Sequence, residues 1–228
     1  MFSSLQTLRQ GLVISCQAPA TSPLHDAAII AAIAEAAVGQ GAAGVRIDSP
    51  EHIQATRRRV TVPIIGLWKQ TLPGSPVYIT PQVHHAVAVA EAGADIIAID
   101  ATQRPRPGGE TLRDLVQRIH DLGKPVMADI DTLPAAVAAV EAGVDVVGTT
   151  LYGYTAETAA QKPPGFDLLK QIIDLKVPAI CEGGIASPEM ARRAIALGAH
   201  SVVVGTAITG IDAIAATYTA ALQSPFHQ

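Results

Sequence analysis

Lys69 closes the apolar run Pro63-Ile64-Ile65-Gly66-Leu67-Trp68 and is the residue with most chemical promise. An ammonium leaving a dry strand end loses hydration, which lowers its pKa and makes a neutral amine available as a base. Arg46, inside a second β-branched run, is a cation that would depress Lys69 further while keeping its own charge. Glu182, between Cys181 and Gly183-Gly184, is the second candidate for proton transfer. Gln17, Asp48, Asp100, Asp129, Asp131, Thr149, Thr150, Gly205 and Thr206 likewise stand just beyond apolar runs. Ionisable groups there are costly unless paired or solvated. For any one of them a salt-bridge network is an equal reading; for the whole set a convergent site is the stronger one.

The elements that would gather these residues follow from a repeat. Four segments share a helix end, a glycine, a small residue and a β-branched run: "GQGAAGVRID", "AEAGADIIAID", "VEAGVDVVGTT" and "ALGAHSVVVGT". Their turn glycines Gly41, Gly93, Gly143 and Gly198 are 52, 50 and 55 residues apart, which is room for two strand–helix units each. "VTVPIIGLWK", "GKPVMADI" and "LKVPAICEGG" supply the strands between, and "GLVISCQ" adds one at the start. Strand cores are therefore predicted at 12–16, 44–47, 63–67, 95–99, 125–128, 145–148, 178–181 and 201–204. Helices are predicted at 27–38, 83–92, 112–122, 134–142, 166–175 and 188–197, from apolar residues three and four apart. Arg57-Arg58-Arg59 falls where a further helix should end, as the helix dipole favours. Ser187-Pro188-Glu189 reads as a helix cap followed by a first-turn proline and acid.

Eight strands alternating with helices and no mid-chain linker predict an α/β fold, a single-domain (β/α)₈ TIM barrel over residues 1–228. A short helix at about 2–10 should precede the first strand. An open doubly wound sheet is disfavoured because no Gly-x-Gly-x-x-Gly follows Cys16. In such barrels the site lies at the C-terminal strand ends, where the candidates stand. The glycine-bearing loops after strands seven and eight, with Gly183, Gly184, Gly205 and Thr206, are candidates for holding a phosphate on backbone N–H groups.

With 49% apolar and 16% charged residues, the chain can bury a large core. Its net charge is −4 and its cations are dispersed, which argues against a nucleic-acid partner. Cys16 and Cys181 form no Cys-x-x-Cys pair, and no histidine pair has ligand spacing beside carboxylates, so no metal is expected. His25, His52, His84, His85, His120 and His200 are assigned packing or surface roles at the barrel end opposite the chemistry, and His227 lies in the tail. No apolar run reaches the roughly 20 residues of a membrane span. A cytoplasmic protein without a membrane partner is expected.

"GLVISCQA", "PLHD", "VPIIGLWK", "YITP", "GADIIAIDAT", "RPRP", "MADI", "GTTLYGYT", "CEGG" and "VVVGTAIT" occur in this order over residues 11–209. Together they resemble the N-acetylmannosamine-6-phosphate 2-epimerase family. The resemblance implies interconversion of N-acetylmannosamine 6-phosphate and N-acetylglucosamine 6-phosphate at C2, in amino-sugar and sialic acid catabolism, with no cofactor. It implies Lys69 as the base, Glu182 as its assistant, and Gln17, Arg46 and Asp129 as sugar contacts; Thr150 and Tyr154, in the family's "GTTLYGYT" segment, are further ones. It also implies a phosphosugar as the small-molecule partner and a homodimer.

The chain departs from the family at three places that usually carry arginine: Gln70 after the lysine, Gly184 after "CEG", and Gly210 after "AIT". Either the phosphate rests on the backbone or the substrate differs, for instance an unphosphorylated N-acyl sugar. Arg104 and Arg106 are either extra phosphate ligands or solvated loop. A strand-end lysine also fits Schiff-base chemistry in another phosphate-ester barrel, and the missing arginines also fit a sugar-phosphate binding protein without turnover.

Overall fold

The computed structural model describes residues 2–223. Eight parallel strands close on themselves in sequence order: β1 (Leu12–Cys16), β2 (Gly44–Asp48), β3 (Ile64–Leu67), β4 (Ile96–Asp100), β5 (Val126–Asp129), β6 (Val146–Gly148), β7 (Ala179–Glu182) and β8 (Ser201–Val204). The ring closes through β1 on β8, with Val13 opposite Val203. Each expected strand is present, shifted by at most one residue at an end.

Helices α1 (Ser3–Thr7), α2 (Ala27–Gly39), α3 (Pro50–Arg57), α4 (Val83–Glu91), α5 (Leu112–Asp121), α6 (Leu133–Ala142), α7 (Phe166–Ile173) and α8 (Pro188–Ala196) accompany the strands. Side-chain caps start several of them: Asp26 accepts from Ala28 and Ile29, Thr132 from Ala135, and Ser187 from Met190. The four repeat glycines all have φ between +93° and +106°, the left-handed turn that ends a helix before the next strand. Arg57 ends α3 and reaches Asp95 at 2.7 Å and the Val62 carbonyl at 2.9 Å, so this part of the basic run is structural. α1 is shorter than expected, yet its Leu5 and the following Leu8 join the apolar filling of the barrel. The described residues close with α9 (Thr206–Thr209) and α10 (Ile211–Gln223), which the periodicity did not single out.

Alternation along the strands sorts the core into two layers. Val13, Ile65, Leu67, Ile96, Ala98, Met127, Val146, Ile180 and Val203 fill the barrel interior. Ile14, Cys16, Val45, Ile47, Ile64, Ile97, Ile99, Val147 and Cys181 face the helices. Counting by twos along the inward set gives Val13-Ser15-Gln17, Ile65-Leu67-Lys69, Met127-Asp129, Val146-Gly148-Thr150 and Ile180-Glu182. Arg46, between outward Val45 and Ile47, is inward too. The period that builds the core therefore delivers the polar residues to one mouth.

Gly66 allows α3 and α4 to sit close to β3. A Cβ there would stand 2.5 Å from the Ala94 methyl and 2.8 Å from a Val89 methyl. Gly66→Ala should cost about 1–3 kcal/mol in urea unfolding, the usual penalty of overpacking a dense core.

Candidate active site

Arg46 is the hub. It is 1% exposed. Its Nη2 donates to Asp129 Oδ2 at 2.5 Å, and its Nη1 donates to Asp129 Oδ1 at 3.1 Å and to Glu182 Oε2. Thr150 Oγ1 donates to Asp129 Oδ1 at 2.6 Å and also lies 3.2 Å from Glu182 Oε2. Thr149 Oγ1 ties down the Glu182 backbone, bonding its carbonyl at 2.8 Å and its N–H at 3.1 Å. Burial opposes the charge on Arg46, but Asp129 and Glu182 outweigh that and hold its pKa above the ordinary guanidinium value. Glu182 keeps 12% of its side-chain surface in contact with solvent. Burial pushes its pKa up to about 7 against the opposing pull of Arg46, with Asp129 adding to the rise.

Lys69 stands across the mouth. Its Nζ donates to Gln17 Oε1 at 2.5 Å, Gln17 Nε2 donates to Ser15 Oγ at 2.9 Å, and the Lys69 N–H donates to Asp48 Oδ1 at 2.9 Å. The side chain is open to solvent yet ringed by protein. That enclosure lowers its pKa below the ordinary lysine value; Asp48 opposes the shift and Arg46 adds to it. A lysine easier to deprotonate and a carboxyl harder to deprotonate thus face one cavity. Such converging values suit a pair that exchanges protons with one substrate.

The cavity has a volume of about 1160 Å³. Gln17, Arg46, Lys69, Thr150, Tyr154, Glu182, Gly183, Gly184, Gly205 and Thr206 all line it, and Tyr154 is 59% exposed at its rim. Asp129 does not line it: at 0% exposure it lies beneath Arg46 and holds that guanidinium in place. Asp100 and Asp131, also at strand ends, turn to Arg104 and Thr155 instead of the cavity. Ser15, on β1, and Tyr78, Ile79 and residues of α10 line the cavity and were not singled out; the last three groups fall in a loop or late helix whose return to the mouth has no local signature.

At two of the three arginine-poor positions a side chain would meet its neighbours. Gly184 has φ +70°, and a Cβ on it would lie 2.5 Å from Pro163 Cβ. A Cβ on Gly210 would lie 2.8 Å from Thr206 Cα. Neither position accepts a side chain without backbone movement. Gln70 turns its amide to the Lys69 carbonyl at 2.9 Å. The histidine expectation needs correcting in part. His25 lies between β1 and α2, His52 in the first turn of α3, and His84 and His85 in the first turn of α4, so all four stand on the face of the mouth. Their role is nonetheless packing: the His25 and His52 rings are 4.8 Å apart, and His85 packs 5.2 Å from Trp68. His227 lies outside the described residues. Among the described residues, no group of three or more His, Cys, Asp or Glu is placed to hold a metal ion.

A closed eight-stranded barrel with a lysine, a buried guanidinium and a carboxyl of raised pKa at its C-terminal mouth has the design of a barrel enzyme. The comparisons narrow that class. A family model described as "Putative N-acetylmannosamine-6-phosphate epimerase" matches residues 30–224, and the chain belongs to this family. A relative from Thermosynechococcus vestitus, named "Putative N-acetylmannosamine-6-phosphate 2-epimerase", is 64% identical over 95% of each chain. One of the same name from Synechococcus elongatus is 58% identical over 96% of this chain and 97% of its own. The solved N-acetylmannosamine-6-phosphate 2-epimerase from Clostridium perfringens superposes with a TM-score of 0.93 at 38% identity, covering 96% of both chains.

Replacing Arg46 by methionine would leave Asp129 and Glu182 buried beside no cation. Arg46→Met should lower unfolding stability by about 3–5 kcal/mol, read by chemical denaturation at neutral pH, the usual cost of breaking a buried ion pair from one side.

Proposed function

We propose that the chain interconverts N-acetylmannosamine 6-phosphate and N-acetylglucosamine 6-phosphate by removing and returning the proton at C2. It is an epimerase acting on carbohydrates. The observation that carries the mechanism is the pairing of Lys69 and Glu182 across one cavity with converging pKa values. In the open-chain sugar C2 adjoins the C1 aldehyde. Lys69 takes the C2 proton, the C–H electrons move into the C1 carbonyl, and the Glu182 carboxyl returns a proton to the opposite face. The reverse reaction uses the same groups with the proton exchanged. Gln17 and Thr150 orient the sugar, and Tyr154 borders its entrance. Asp129 acts through Arg46. The backbone at Gly183, Gly184, Gly205 and Thr206 receives the phosphate, since Gly184 and Gly210 have no room for an arginine. The reaction as drawn needs no cofactor. We place it in amino-sugar and sialic acid catabolism, and in the cytoplasm, where a phosphorylated sugar is retained. Among the described residues no helix is long and apolar enough to cross a membrane.

Proton NMR in D₂O tests the reading. The C2 proton of N-acetylmannosamine 6-phosphate should exchange for deuterium as the gluco isomer appears. Lys69→Ala should slow that exchange by about 10²–10⁴-fold, the usual contribution of a positioned base; exchange at the wild-type rate removes Lys69 from the role.

The pH profile follows from the same pair. Below about 7 Glu182 is protonated while Lys69 is still charged, so neither group can accept a proton. Above about 7 the pair holds one proton and is competent. It loses that proton, and activity, at a pH below the ordinary lysine value of 10.5. kcat/KM should therefore rise through pH 7 and fall on the alkaline side; a profile flat through pH 7 contradicts the assignment.

A homodimer is part of this proposal. α10 has no buried residue, and its Ile211, Tyr218 and Leu222 are 57%, 71% and 76% exposed. A groove of about 520 Å³ lies open over β8 and β1, walled by Leu12, Val202, Val204, Ile195 and Ile208. A second copy covering these apolar surfaces would remove them from water. Sedimentation should give a dimer for the wild type, and Tyr218→Asp combined with Leu222→Asp should shift it toward monomer.

A further inference from the structure

Drawing a proton from C2 places negative charge on the C1 oxygen, and that oxygen needs a donor. The two terminal nitrogens of Arg46 are already engaged with Asp129 and Glu182, and Arg46 Nε is buried away from the cavity surface. Lys69 is receiving the proton at that moment. A neutral donor near Arg46 that is not committed elsewhere would meet that need.

Tyr78 fits that requirement. It is half-buried, lines the cavity, and packs its ring against the apolar filling of the barrel. Its phenol makes no hydrogen bond to another described residue, although Tyr152 and the threonines around the site bond their own neighbours. Burial, then Asp129 and Asp100, raise its pKa above the ordinary phenol value, so it remains a protonated donor at neutral pH.

The strap that carries Tyr78 is held firmly in place. Gln70 N–H donates to the Tyr78 carbonyl at 2.8 Å, Lys69 and Ile79 pair as an antiparallel bridge, and Thr80 N–H donates to the Trp68 carbonyl at 2.8 Å. Thr80 Oγ1 receives the Trp68 N–H at 3.0 Å and donates to the Ala98 carbonyl at 2.7 Å. Asp100 N–H donates to the Ile79 carbonyl at 2.9 Å. From the other side Arg104 divides its guanidinium three ways: Asp100 Oδ2 at 2.6 Å, Thr102 Oγ1 at 2.9 Å and the Pro76 carbonyl at 2.8 Å. Buried Asp100 and the "RPRP" loop thus clip the strap that backs Lys69 and brings Tyr78 to the mouth. Such fixing of a donor before reaction is what electrostatic preorganisation requires.

We propose that Tyr78 is a further catalytic residue, its O–H donating to the substrate oxygen that becomes negative when the C2 proton leaves, and that Arg104 with Asp100 is its positioning clamp. This rests on the C2 proton-transfer reading above. The test compares wild type, Tyr78→Phe and Arg104→Lys with N-acetylmannosamine 6-phosphate in D₂O, following steady-state turnover and C2 exchange. Phenylalanine keeps the ring's packing and removes one oxygen with no hydrogen-bond partner among the described residues, so equal melting temperatures are expected. Tyr78→Phe should lower kcat and the exchange rate together by about 10²-fold, as loss of one oxyanion donor does, while KM changes little. Arg104→Lys, which cannot reproduce the three-way fork, should lower kcat in the same sense by a smaller factor. Wild-type exchange with unchanged kcat and exchange in Tyr78→Phe overturns this assignment alone. A fall confined to KM also overturns it, making Tyr78 a binding contact only. Absence of C2 exchange in the wild type overturns the underlying reading instead.

Discussion

A full positive charge sits almost without solvent at the mouth of an apolar barrel, and the arrangement of the mouth follows from it. Arg46 cannot shed its proton, so the fold must neutralise it in place. Asp129 supplies one carboxylate from β5 and Glu182 a second from β7, and Thr150 bridges the two. Three strands that are not neighbours in the barrel, β2, β5 and β7, are thereby tied together across its mouth by charge. The same cluster sets the chemistry. Two carboxylates sharing one guanidinium cannot both be ideally served. Asp129, fully buried with two short bonds, takes the better share, and Glu182 is left with a raised pKa facing the cavity. The network is buried in its lower half, at Asp129, and opens on the cavity in its upper half, at Glu182.

Lys69 is tuned by the same means from the opposite side. Enclosure disfavours its charge, Arg46 repels it, and Asp48 holds only part of it back. Its neighbours keep the amine aimed without neutralising it: a neutral amide oxygen from Gln17 receives Nζ, and the carboxylate of Asp48 is occupied with the backbone N–H. A carboxylate on Nζ itself would have raised the pKa and removed the base. The far end of the cavity follows a different logic. Glycines at 184 and 210 lie against Pro163 and Thr206 too closely for side chains, so that end presents main chain.

The barrel, and the place of Lys69 and Glu182 at its mouth, were legible in the sequence. Eight β-branched runs alternating with helical stretches, and polar residues just past each run, are local patterns, and the local pattern decides which residues point inward. Partner choice was not legible. Asp100 and Asp129 close neighbouring strands in register and Asp131 stands two residues further on, yet one is clipped to Arg104, one lies under Arg46, and one turns to Thr155. The histidines show the same limit. Reading them as remote from the mouth overlooked that the first turn of a helix follows the C-terminal end of a strand.

The sequence by itself determined the (β/α)₈ class, the inward set of Gln17, Arg46, Lys69 and Glu182, and the membership of the family, because alternation, turn glycines and short motifs are properties of neighbours along the chain. Only the tertiary structure decided that Asp129 is a buried support, that Tyr78 enters the cavity on a strap pinned from β4, and that α10 leaves its apolar residues uncovered. Those outcomes depend on residues far apart in sequence meeting in space. The energy of a buried charge or an uncovered methyl is set by what arrives beside it, which no local pattern contains.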